Sequence, residues 1–177
     1  METAEDTTHI RRADISDASS LARVGATAFT QAFGHLYPPE DLQHFLQSSH
    51  SDERWRSTLS DDHTSVFVAE DVASGIMGFI AVGRSKLPVR DLEPTAGEVQ
   101  QLYVLAEFHN LKLGSRLMDA GLHWLRSQKH APLYVGVWSE NYGAQRFYSR
   151  YGFQPFGEYG FRVGSTIDRE FIFKRDR

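Results

Sequence analysis

The chain has no cysteine. That excludes disulfides, a protein thiol nucleophile and thiolate metal sites, and it is compatible with a reducing compartment. No apolar run approaches the ~20 residues that a membrane-spanning helix needs. The opening Met1–Asp6 is polar and acidic and lacks the basic and apolar regions of a signal peptide. The expectation is a cytoplasmic protein. Cationic excess is lacking too: 19 Lys and Arg stand against 23 Asp and Glu, a net charge of −4. With no basic face, neither nucleic acid nor a membrane is an expected partner. Missing as well are G-x-G-x-x-G, a P-loop, H-E-x-x-H and G-x-S-x-G. His44, His50 and His63 do not have metal-site spacing, so no metal is expected.

What is present is an ordinary globular composition, 41% hydrophobic and 24% charged over 177 residues. It is enough for one domain, residues 1–177, with a real core. His9–Arg12 reads as a short first strand. Ser16 or Asp17 can cap a helix carrying Leu21, Val24, Ala28 and Phe29 on one face. Pro39 opens a second helix and Ser51 a third, which contains Trp55. Ser65–Glu70 and Ile76–Val82 flank a turn and predict a hairpin. Lys86–Gly97 is a loop, and Glu98–Val104 is the next strand. Leu113, Leu117, Ala120, Trp124 and Leu125 form one face of a long helix ending near Lys129. Leu133–Trp138 is a strand, and Phe153–Phe156 and Ile167–Phe173 are two more. Trp55, Trp124 and Trp138 read as core. Helices interrupting strands, some joined by hairpins, predict an α/β protein with a mixed sheet.

Two segments carry chemistry. Between Val104 and Leu113 a strand feeds straight into a helix. The helix's first N–H groups lack intrahelical partners and, with roughly half a positive charge from the dipole, can hold an anion. Gly114 and Ser115 keep bulk low there, and His109, Lys112 and Arg116 add donors. Further on, Asn141 is a good N-cap for a short helix. Ala144, Phe147, Tyr148 and Tyr151 recur at helical spacing, and Gly152 suits the left-handed position after its end.

Together, in this order, the segments resemble the GCN5-related N-acetyltransferase (GNAT) superfamily. His109-Asn110-Leu111-Lys112-Leu113-Gly114 is similar to its pyrophosphate motif, with His109 where Gln or Arg is usual and Lys112 where the first glycine is usual. Asn141-x-x-Ala144-x-x-Phe147-Tyr148-x-x-x-Gly152-Phe153 matches its second motif throughout. Phe33–Leu42, Gly136–Asn141 and Gly152–Gly157 are similar to the PaiA-type polyamine acetyltransferases.

The resemblance implies a sheet whose fourth and fifth strands are parallel and splayed, flanked by helices. It implies acetyl transfer from acetyl-CoA to a small primary amine, for instance a polyamine such as spermidine, by direct attack in a ternary complex. The donor would be held by Leu102, Tyr103 and Val104, by His109, Asn110, Leu111, Lys112, Leu113, Gly114 and Ser115, and by Asn141 and Tyr148. Tyr148 would protonate the departing thiolate. Glu98 would take the amine's proton; plain strand alternation sets it on the face of Gln100, Leu102 and Val104. Glu140, beside Asn141, is a second candidate. His35, Tyr37 and Glu40, with Asp41, would line the acceptor pocket. An amino acid, an antibiotic or a protein N-terminus is an equal alternative acceptor. A non-catalytic acyl-CoA sensor is the alternative class, and a homodimer stays open.

Overall fold

The computed structural model describes residues 7–177, so the polar segment Met1–Asp6 lies outside the described residues. Seven strands form one sheet: β1 (His9–Arg12), β2 (Thr64–Asp71), β3 (Gly75–Arg84), β4 (Gly97–Val104), β5 (Leu133–Trp138), β6 (Gln154–Val163) and β7 (Thr166–Arg175), in the spatial order β1-β2-β3-β4-β5-β7-β6. Every neighbouring pair is antiparallel except β4 and β5. The helices are α1 (Ala18–Phe33), α2 (Pro39–Ser49), α3 (Asp52–Leu59), α4 (Leu113–Ser127) and α5 (Tyr142–Arg150).

Local chemistry sets most boundaries. Asp17 holds the N-cap position of α1 as expected but makes no side-chain cap bond there; the capping box lies one turn earlier, where Asp14 accepts from Ser16 N and Asp14 N donates to the Asp17 carboxylate. Ser51 caps α3 and Asn141 caps α5 through their side-chain oxygens. Arg11 grips both Asp17 and Glu70 with 2.8 Å bonds, tying β1 to the start of α1 and to β2. The β6–β7 hairpin is much longer than the two short strands expected, because Gly157 and Gly160 hide its alternation.

The sheet is covered on both faces. On one, α4 packs Leu113, Leu117, Met118 and Leu125 against Ile80, Val82, Val99 and Val135. On the other, α1 and α3 bury Leu21, Val24 and Trp55 against Val68, Phe79 and Ala81. Periodicity finds the α4 stripe, although Ala120 and Trp124 are only half-buried.

The feature that matters for function is where the sheet opens. Parallel β4 and β5 pair only at Gly97–Val99 with Leu133–Val135, and then they part. A bulge prepares the split. Ala81 pairs with Gln101 and Val82 with Val99, so Gln100 is an extra residue in β4. Bulges bend a strand and flip its facing pattern. Val99, Leu102 and Val104 therefore all pack on the α4 side, while Tyr103 packs with Phe79 on the other. This corrects the expectation for Glu98. It does not share a face with Leu102 and Val104, because the bulge breaks the alternation between them.

Candidate active site

The parted strands open a cleft of about 590 Å³. Its walls come from β4 (Glu98–Val104), β5 (Val135–Trp138), the N-cap and inner face of α5 (Asn141, Ala144, Tyr148), α1 with the α1–α2 turn (Phe29, Phe33, Tyr37), and the β6–β7 hairpin (Tyr159, Phe161, Asp168, Glu170).

Tyr148 sits on the buried face of α5, 8% exposed. Its ring packs edge-on against Phe147 and Phe153, at 5.5 and 6.1 Å between centroids. Among the described residues its hydroxyl has no hydrogen-bond partner, and it faces the cleft. Burial pushes its pKa up, and the Glu170 charge pushes it further. The phenol is therefore protonated at neutral pH and available as a donor. Asn141 is occupied in capping: its Oδ1 accepts from Ala144 N at 3.1 Å.

The turn expected to bind an anion has a distinctive backbone. Ala106–Leu111 make a 3-10 turn, and Lys112 then adopts a left-handed conformation, φ 56°, directly before α4. That conformation is why glycine is usual at this position: a residue with a Cβ pays about 1–2 kcal/mol there. No side chain caps α4, so its leading N–H groups have neither a cap nor an intrahelical acceptor. Gly114 faces open space; a Cβ there would meet only Phe147 Cε2, 4.0 Å away. Protein packing therefore does not require glycine at this position. Phe147 immediately precedes Tyr148, and the Tyr151 hydroxyl donates to Ser115 O at 3.3 Å, so α5 is tied to the start of α4.

Several expected donor contacts fall elsewhere. His109 does not aim at a phosphate: its Nε2 lies 2.8 Å from Val104 O, at a strand carbonyl expected to pair with the donor. Arg116 donates to Thr8 O, 2.8 Å away. Asn110, Leu111 and Lys112 are exposed, and Leu113, the first residue of α4, is buried in the core beneath the helix. Leu102, Tyr103 and Val104 all border the cleft, but the Tyr103 side chain points to the opposite face of the sheet, beside Phe79.

Of the three residues expected at the acceptor pocket, Tyr37 is the one that lines the cleft, and its hydroxyl donates to Asp168 Oδ2. His35 instead packs edge-on to Trp138, 6.5 Å between centroids, and Glu40 lies exposed on α2 outside the cleft wall. Asp41 accepts from Ser165 N and Oγ, so it anchors the hairpin turn. Trp138, expected as core, lines the cleft. Glu140 is exposed and outside the wall. Glu98 is 7% exposed and accepts Lys86 N–H at 2.7 Å. Burial raises its pKa against the opposing pull of that hydrogen bond.

The residues missed by sequence reasoning are Tyr159, Asp168 and Glu170. Gly136 makes room for one of them: a Cβ there would come within 2.7 Å of the Tyr159 hydroxyl. Asp168 and Glu170 are two apart on β7, hence on one face. The alternation Thr166-x-Asp168-x-Glu170 was the available signal, but it resembles any solvated strand face. The cleft is thus lined by three carboxylates, Glu98, Asp168 and Glu170, against one guanidinium, Arg54. His50 also borders it, with burial holding its pKa down at about 4, so it adds no positive charge at neutral pH. Among the described residues no cluster of three or more His, Asp or Glu is placed to hold a metal, and no helix is long and apolar enough to cross a membrane.

The comparisons agree with this geometry. The model of the acetyltransferase (GNAT) family matches residues 27–153. An uncharacterized N-acetyltransferase of Archaeoglobus fulgidus is 31% identical over 143 residues, covering 79% of this chain and 88% of that protein. One from Lactobacillus delbrueckii subsp. lactis is 23% identical over 90% of this chain and 91% of its own. The PaiA N-acetyltransferase of Thermoplasma acidophilum, solved in complex with coenzyme A, superposes with a TM-score of 0.76 at 19% identity, over 96% of this chain and 99% of that one. The family model spans the parted β4–β5 pair, the start of α4 and the whole of α5, and the chain belongs to the acetyltransferase (GNAT) family.

Proposed function

We propose that the protein transfers acetyl from acetyl-CoA to a small cationic primary amine, with a polyamine such as spermidine as the leading acceptor. The observation that carries this is the polarity of the cleft along its length. One end reaches Ala106 and His109, in the turn that leads into the uncapped α4, and the Tyr148 hydroxyl, which has no partner among the described residues; the other is walled by carboxylates and phenols. The first end suits a diphosphate and a departing sulfur, and the second suits an ammonium.

In this reading the diphosphate sits on the leading N–H groups of α4, with the space above Gly114 left for it. The pantetheine arm runs between the parted strands beside Leu102, and Asn141 flanks it. The Val104 carbonyl becomes available once His109 releases it. The neutral amine attacks the thioester carbonyl; the C–S bond breaks, and Tyr148 gives its proton to the leaving thiolate. A thiol's reference pKa is about 8.5 and a phenol's about 10, so a phenol pushed higher still is a competent hydrogen-bond donor to a thiolate. The bound donor, Phe33 and Trp138 keep bulk water from the thioester.

Acceptor preference follows from charge. Spermidine and short diamines should release free thiol from acetyl-CoA at least tenfold faster, in kcat/KM, than a neutral amino acid amide of similar size, given three carboxylates to one guanidinium. A thiol-release assay over amines, amino acids and peptides checks it. A preference for acidic or neutral acceptors would reject the polyamine reading.

A further inference from the structure

The acceptor amine arrives protonated and must lose that proton before it can attack. Three carboxylates border the cleft, and two are already engaged. Glu98 accepts the Lys86 N–H at 2.7 Å, and Asp168 accepts the Tyr37 hydroxyl. Among the described residues Glu170 has only the Tyr159 hydroxyl, at a long 3.4 Å. It lies directly across β7 from Trp138 of β5 and across the hairpin from Tyr159 of β6. That is the level at which β5 has parted from β4, and the charge of Glu170 reaches the Tyr148 hydroxyl.

We propose, resting on the acetyl-transfer reading above, that Glu170 is a catalytic residue that takes the proton of the acceptor ammonium. The steps balance. R–NH3⁺ gives a proton to the Glu170 carboxylate, leaving R–NH2 and a neutral carboxyl. The nitrogen lone pair forms the bond to the thioester carbonyl carbon, and the C–S bond then breaks. Sulfur leaves with the Tyr148 proton, and the second proton of the acylated nitrogen restores the phenol. Glu170 returns its proton to solvent, so each turnover yields an amide, a free thiol and one proton.

The surroundings tune the group for this work. Burial pushes the Glu170 carboxyl up to about 7; the Tyr159 hydrogen bond opposes that shift and the Asp168 charge adds to it. The titratable and charged groups around the cleft it faces are Asp168 on its own strand, Tyr159 on β6, Tyr103 and Glu98 on β4, His109 in the turn after β4, Tyr148 on α5, Tyr37 before α2, His50 after α2 and Arg54 on α3. The sign is simple. Below about 7 the carboxyl already holds a proton and cannot accept another, so kcat/KM rises as pH climbs through that value. The amine's own reference pKa, about 10.4, gives a separate limb well above it.

The test is a kcat/KM profile against pH with spermidine for wild type, Glu170→Gln, Glu170→Asp and Glu98→Gln, with acetyl-CoA affinity measured by calorimetry on each. Glu170→Gln should lose roughly a hundredfold in kcat/KM at pH above 7 and lose the limb near 7, with acetyl-CoA affinity within about twofold of wild type. Glu170→Asp should regain a limb, and Glu98→Gln should keep it. If Glu170→Gln keeps the limb, or stays within about threefold of wild type, Glu170 is not the proton acceptor. Loss of the limb in Glu98→Gln alone would assign the role to Glu98 and overturn the proposal. A folded, acetyl-CoA-binding wild type that acetylates no amine would overturn the acetyl-transfer reading as well; an active wild type with an unaltered Glu170→Gln overturns only this one.

Discussion

Tyr148→Phe should lower kcat about a hundredfold, close to 2.7 kcal/mol of transition-state stabilisation, and leave acetyl-CoA affinity within about twofold. The separation is expected because the ring and the hydroxyl do different things. The ring packs on Phe147 and Phe153 in the α4-side core, and phenylalanine keeps that packing. The hydroxyl has no protein partner among the described residues, so its removal orphans no donor or acceptor. Only the leaving sulfur loses by it. Burst kinetics on the variant should show slow chemistry rather than slow product release. Unchanged turnover would remove Tyr148 from the reaction and leave α5 as a structural helix.

The second large effect is a separation of stability from binding at Gly114. Gly114→Ala should raise stability by about 0.4–1 kcal/mol, moving Tm up by a degree or more, and weaken acetyl-CoA binding by ten- to a hundredfold. Alanine is the better residue in the first turn of a helix, and its Cβ meets nothing in the protein closer than 4.0 Å. The same methyl group fills the space above the α4 N–H groups. Crowding a close contact typically costs 1–3 kcal/mol, about one to two powers of ten in affinity. Thermal melts and calorimetry on one preparation check both halves. A variant that is more stable and binds as well as wild type would mean that the diphosphate does not approach Gly114.

The parts legible in the sequence are those where one segment carries the whole signal. Asn141 through Gly152 encodes a cap, an apolar face and a stop within a dozen residues, and α5 folds as that pattern predicts. The α4 stripe and the β2–β3 hairpin were legible for the same reason. The parallel, splayed β4–β5 pair came through the family resemblance, since no local pattern reports which strands meet. The facing of Glu98 failed because a single bulge at Gln100 reverses alternation, and a bulge leaves no reliable trace in residue type. Glu170, Asp168 and Tyr159 were missed because they reach the cleft through strand order: β7 inserts between β5 and β6, and the β6–β7 hairpin thereby lines the cleft that β4 and β5 open. Lys112 was legible as a departure from the motif, and its left-handed backbone shows what that departure costs.

Direct titration of coenzyme A into the wild-type protein bears on all of this at once. If the diphosphate docks on the uncapped start of α4, calorimetry should give one site per chain with micromolar or tighter affinity, and a pantetheine fragment without phosphates should bind at least tenfold more weakly. Equal affinity for the two ligands, or no heat from either with folded protein, would contradict it.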